Sequence, residues 1–236
     1  MASPLALVFA FVAILVLAIV TISAIIVEQR RRRLQYIDDY VWPPGLINRL
    51  KAEYPRFSRS DCQLIDQGLR QFFRAYLNGG RRDVAMPSQA VDELWHHFIL
   101  YTQSYGDFCT RAFGRFLHHT PAVMLSPIGK QSNEGLRRVW WQACREEQID
   151  PRAPASLPLL FAIDARLKVP GGYVYHPDCE ALRRAGVLSG QCGGDFGSSS
   201  FDGGTAGFGG GSGCSDSSGD GGSGGGGGGC GGGGGD

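Results

Sequence analysis

Three hydropathy regimes follow one another along the chain. Leu5 to Val27 is a run of 23 residues with no charge, glycine or proline. As a helix rising 1.5 Å per residue it is about 35 Å long, slightly more than a hydrocarbon core of about 30 Å. The pattern therefore predicts a transmembrane helix over residues 1–28.

The middle of the chain carries apolar positions at helical spacing. Leu46–Tyr54 lies between Pro43-Pro44-Gly45 and Pro55, which suits a short helix. Ser60 and Gln63 fit a capping box for a helix with Ile65, Leu69, Phe72, Phe73 and Tyr76 inward, stopped by Asn78-Gly79-Gly80. Ser88 is the expected N-cap of a third helix, with Val91, Leu94, Trp95, Phe98, Thr102 and Tyr105 in its stripe and a break at Tyr105-Gly106-Asp107. Phe108, Cys109, Ala112, Phe113, Phe116 and Leu117 form the next stripe, ending near His118-His119-Thr120-Pro121. Asn133–Glu147 and Ser156–Leu167 add two more helices, the first with Leu136, Val139, Trp140 and Ala143 inward. No long stretch alternates with period two, and Lys168–Tyr175 is the one plausible extended piece. The expected fold class is all-α: an N-terminal transmembrane helix, a basic juxtamembrane linker over 29–37, a compact helical-bundle domain over 38–186 and a disordered Gly-rich C-terminal tail over 187–236.

Composition sharpens the last regime. Val187–Asp236 contains 25 glycines and five aspartates among fifty residues, with no lysine or arginine. Such a segment has little to bury and a large backbone entropy to lose, so it is expected to act as a flexible tether with an end-to-end distance of about 40 Å. The formal net charge of +1 hides an asymmetry, with −5 in the tail and +6 elsewhere, four of the latter in Arg30-Arg31-Arg32-Arg33. No basic face remains for nucleic acid. By the positive-inside bias the arginine run stays cytoplasmic, which predicts a single-pass protein of the inner (plasma) membrane with its C-terminal domain cytoplasmic. In that reducing compartment most of the seven cysteines are expected to be free thiols, with Cys62, Cys109 and Cys144 as small core residues.

Candidate chemistry concentrates in Val91-Asp92-Glu93-Leu94-Trp95-His96-His97. Asp92, His96 and Gln103 share a strip beside the apolar face of one helix. A carboxylate four residues before an imidazole can accept its N–H and leave the other ring nitrogen to hold a metal, act as a base or bond a neighbour. Four of the five histidines lie in two pairs on either side of Gly106. If the chain reverses at Gly106 the pairs meet, and if a helix runs straight through they lie about 33 Å apart. Adjacent histidines on a helix diverge by about 100°, so at most one of each pair faces a common centre. The polar cluster to examine is thus Asp92, Trp95, His96, His97, Gln103, His118 and His119. Asp92, His96, His118 and His119 form a legitimate zinc ligand set, and Zn is the cofactor it suggests. Satisfied structural histidines are the alternative. His176 and Cys179, with Cys192 downstream, offer a weaker second set that lacks a local fourth ligand. There is no Gly-x-Ser-x-Gly, phosphate loop or dinucleotide fingerprint.

Met86-Pro87-Ser88, Val91-Asp92, Trp95-His96, Tyr105, Phe108-Cys109, Phe113-Gly114 and Phe116-Leu117-His118-His119 together resemble the glycine-rich domain-containing protein-like family. Its aspartate-x-x-tryptophan-histidine element falls here on Asp92, Trp95 and His96. The second histidine is the adjacent His97, whereas plant members place it two residues after the first. The resemblance implies a scaffolding or signalling protein without established catalysis. Two functional expectations follow: a membrane-anchored interaction or scaffold protein that meets a protein partner or itself through the tail, and a metal-dependent enzyme or metal sensor using the His/Asp cluster.

Overall fold

A computed structural model describes residues 4–119, 134–177, 184, 186 and 191–196. Among these the chain is predominantly helical. Helix α1 (Pro4–Asp39) runs for 36 residues without interruption. Its first part leaves Phe9, Leu17, Val20 and Val27 exposed, and it is long and apolar enough to cross a membrane. Its last turns do something different. Leu34, Tyr36 and Ile37 enter the core, with Ile37 fully buried. Residues 29–37, expected as a linker, are therefore the docked end of this helix: the apolar positions Leu34 and Ile37 recur one turn apart and give it a face to bury.

Helix α3 (Arg59–Asn78) is the central element, packed against α1, α2 (Leu46–Glu53), α4 (Gln89–Ile99), α6 (Glu134–Glu146) and α7 (Leu159–Leu167). Gly68 permits the closest of these approaches. A Cβ there would fall 2.4 Å from Ile163 Cδ1 and 2.9 Å from Val91 Cγ2. The α3 cap lies two residues earlier than Ser60. Ser58 Oγ accepts from the Asp61 amide at 3.2 Å, and the Asp61 carboxylate accepts from the Ser58 amide at 2.8 Å. Asp61 serves as the returning acid in place of Gln63, and the hydrogen bonds from Ser58 lower its pKa.

The largest departure from the sequence pattern lies between α4 and α5 (Thr102–Phe113). The break falls at Leu100-Tyr101, and Gly106 sits inside α5. A Cβ at Gly106 would meet nothing within 4 Å, so this glycine neither bends the helix nor admits a neighbour. Helix α5 ends instead at Gly114, whose φ of 71° closes it in the left-handed conformation, so residues 115–119 are not helical.

α1, α3 and α5 share an alignment that matters later. Tyr40 lies beside Ser104, Tyr36 against Phe108, and Arg33 against Phe113, so α5 runs antiparallel to α1. α3 does likewise, with Arg70 donating to the Ile37, Asp38 and Tyr40 carbonyls and Asn78 accepting from Arg30. Both helices point their C-termini toward the apolar half of α1.

The C-terminal part closes over α6. Strand β1 (Tyr175–His176) pairs in parallel with β2 (Gln191–Cys192), and one helical turn, α8 (Gly193–Phe196), follows. Phe196 is buried against Trp140, Phe161 and Tyr175, and a Cβ on Gly193 would fall 2.4 Å from the Trp140 ring. Residues 191–196 therefore belong to the domain rather than to the glycine-rich tail, because Phe196 supplies an aromatic side chain that the packing against Trp140 uses. The rest of that tail lies outside the described residues. Cys62, Cys109 and Cys144 are buried free thiols, whereas Cys192 is disulfide-bonded.

Candidate metal centre

The site is built on the first turns of α4. Ser88 caps this helix, its Oγ accepting from the Val91 amide at 3.2 Å. A second anchor comes from far along the chain. The Asp164 carboxylate, on α7 and almost fully buried, accepts from Ser88 Oγ at 2.7 Å and from the Gln89 and Ala90 amides at 2.7 and 3.2 Å. It also accepts from the Tyr173 amide at 2.9 Å. The negative charge thus sits at the positive end of α4 and satisfies amides left over at the helix start. Sequence reasoning overlooked Asp164. Its signal was a single acid directly after the apolar Leu159–Ile163 run.

Below the anchored turn, Asp92 and His96 project from the same side of α4, with His96 Nδ1 3.7 Å from Asp92 Oδ2. His119 arrives from residues 115–119. Its Nε2 lies 3.0 Å from Asp92 Oδ1, and its ring stacks at a tilt on His96 with centroids 4.2 Å apart. One histidine of each pair reaches the common centre, but by a route different from two helices turning at Gly106. The reversal occurs at Leu100-Tyr101, and the non-helical backbone after Gly114 carries His119 back across α4.

Trp95 and Tyr105 hold that returning segment in place. The buried Trp95 indole N–H donates to the Tyr105 hydroxyl at 3.2 Å, and Tyr105 donates to the Leu117 carbonyl at 2.5 Å. Leu117 is buried beside them, and the Trp95 ring meets the His119 ring edge-on at 4.7 Å. Burial raises the Tyr105 pKa, so the phenol keeps its proton and remains a donor. Asp92 and His96 thus face one centre, and Trp95 holds the returning segment that brings His119 to it.

The remaining expected members stand apart. His118 is exposed and packs its ring on Phe116, away from the Asp92–His96 centre that its neighbour His119 reaches. Gln103 is exposed on α5, beyond the break that ended the strip it was expected to share. His97 points toward Glu93, with Nε2 3.4 Å from Glu93 Oε1, about 100° around the helix from His96. His176 pairs with Cys192 in the short ladder, and the disulfide at Cys192 removes its thiolate from any ligand set.

The ligand atoms of Asp92, His96 and His119 all lie within 4.8 Å of one another. Tetrahedral zinc with bonds of about 2.0–2.1 Å spaces its ligand atoms about 3.3 Å apart, a change within reach of side-chain rotation. Two imidazoles and one carboxylate are a recognised donor set for zinc and for non-haem iron. Asp92 and His119 are largely covered, while the His96 side chain is 44% exposed and leaves the centre open on one side.

A family model described as UCP032817-like matches residues 32–196. The chain belongs to the UCP032817-like family. The matched segment opens just before the docked end of α1 and closes on Phe196, so the family's common unit includes both the helix end and the β2–α8 closure. No curated protein and no solved structure matches the chain.

Proposed function

We propose that this protein is a single-pass membrane protein whose helical domain holds a zinc-type divalent cation at Asp92, His96 and His119. The convergence of these three donors on one open-sided point supports it most directly. Three protein ligands with a free position leave room for water or a substrate atom, the arrangement of a catalytic or sensing site more than of a closed structural one. In the metal-free protein the Asp92–His119 hydrogen bond would fill the place of the bonds to the ion. The test is elemental analysis of the detergent-solubilised full chain together with zinc titration. Stoichiometric zinc or iron, lost on His96→Ala and on His119→Ala with the helical circular-dichroism signal unchanged, is the expected result. His118→Ala should leave metal content unchanged. A folded protein that takes up neither metal would sink the reading.

The glycine-rich tail supports a second reading, an interaction or scaffold protein in which the tail meets a protein partner or a second copy while the His/Asp cluster serves folding. The resemblance to the glycine-rich domain-containing protein-like family agrees with it. Metal-free protein that self-associates only with its tail present would favour this reading. The arginine run after the span supports a cytoplasmic domain at the plasma membrane. The Cys192 disulfide favours the opposite side, since disulfides persist in oxidising compartments. A reporter fused after Asp236, active only on one side of the membrane, decides between them.

A further inference from the structure

The end of the domain nearest the apolar segment carries a concentration of arginine contributed by three separate elements. Arg30 to Arg33 lie on α1, Arg81 and Arg82 follow α3, and Arg115 follows α5. The antiparallel packing brings them together. Arg30 donates to Asn78 Oδ1 at 2.9 Å, while Arg33 and Arg81 both donate to the Phe113 carbonyl, at 3.2 and 2.9 Å. Arg82 and Arg115 are exposed on the turns just beyond. Arg31 and Arg32 are exposed and share Glu28 through pairs of 2.8 and 2.7 Å. Such exposed pairs exchange readily for other anions. Among the described residues the acidic side chains interspersed here are Glu28, the exposed Asp83 and Glu134, which Arg138 ties to the 83 turn, so positive charge dominates. Beside the collar, Arg30, Arg74, Asn78 and Arg145 line a groove of about 400 Å³, shared with Asp38 and Glu146.

Depth makes this charge informative. Arg30 comes three residues after Val27, a rise of about 4.5 Å, and Arg33 about 9 Å after it. The headgroup layer of one leaflet is about 5–7 Å thick. Because α1 continues unbroken into the domain, it would set the turn at 79–83, next to the Arg30–Asn78 contact, at headgroup level and the turn at 114–115, next to Arg33, at its outer edge. We propose that this arginine collar is a docking face for anionic phospholipid headgroups of the membrane that α1 spans, and that it seats the domain against the bilayer. The proposal rests on α1 being the anchor. Bidentate guanidinium–phosphate geometry suits arginine, and Arg82 and Arg115 extend the contact beyond the helix itself.

The test uses the full chain in nanodiscs of phosphatidylcholine alone or with one third phosphatidylglycerol, read by backbone hydrogen exchange over residues 79–83 and 113–116. The expected result is slower exchange in the anionic discs, by roughly fivefold for each arginine engaged, reversed by 0.5 M salt. Arg82→Glu with Arg115→Glu should remove the difference, and Arg82→Lys with Arg115→Lys should keep most of it. Equal exchange in the two lipids, or a difference untouched by charge reversal, overturns the proposal. Failure of the anchor reading looks different, since the protein would then not co-purify with discs of either composition.

Discussion

Asp164 shows how a single side chain can decide where a site stands. It is one of few buried charges, and four donors converge on it at the start of the helix that carries Asp92 and His96. Asp164→Ala would strand those donors away from water, and the expected loss is at least about 3 kcal/mol in urea unfolding. Metal retention should fall with it, because α4 loses the anchor at its first turn. Cys144 gives a different residue-scale prediction. Burial, reinforced by Glu147 and Asp150, pushes its thiol from 9.0 up to about 12. As pH rises from about 9 to about 12 the unfolded chain gives up a proton that the folded chain keeps, so stability declines across that window. The decline should be shallower in Cys144→Ala, measured by unfolding at pH 8, 9 and 10.

At the scale of elements, much was legible because local chemistry and burial agree. Ser88 caps α4 as its position before Val91 suggested, and Leu136, Val139, Trp140 and Ala143 all turn inward on α6. The α4–α5 boundary was not legible, for an identifiable reason. Leu100-Tyr101 contains neither glycine nor proline, and the turn depends on tertiary contacts, among them the Tyr101 hydroxyl donating to the Pro44 carbonyl at 3.1 Å. Gly106 looked like the break because glycine is a poor helix residue, yet nothing in the fold exploits its freedom. Gly106→Ala should therefore stabilise the protein by about 0.5–1 kcal/mol, seen as a higher thermal midpoint. A destabilised variant would mean that α5 does not pass through this position as described. The approach of His119 was half legible. That at most one member of each histidine pair faces a common centre follows from helix geometry, whereas their meeting was tied to a reversal at Gly106 that the fold does not make. The non-helical return after Gly114 is held by the Trp95–Tyr105–Leu117 chain, and no spacing rule encodes that contact.

For the whole molecule, the feature with the widest reach is the absence of a hinge in α1. A basic stretch after an apolar span commonly reads as a loose tether, but here Leu34 and Ile37 lock it into the core and Arg70 holds its terminal carbonyls. Span and domain consequently share one axis. An apolar run slightly longer than the hydrocarbon thickness relieves the mismatch by leaning over. With α1 as the proposed anchor and no joint to absorb the lean, the domain would lean as well, dipping one flank toward the lipid and lifting the other. The height of the His96 side chain above the bilayer would then vary with bilayer thickness, coupling access to Asp92, His96 and His119 to the lipid around the proposed anchor.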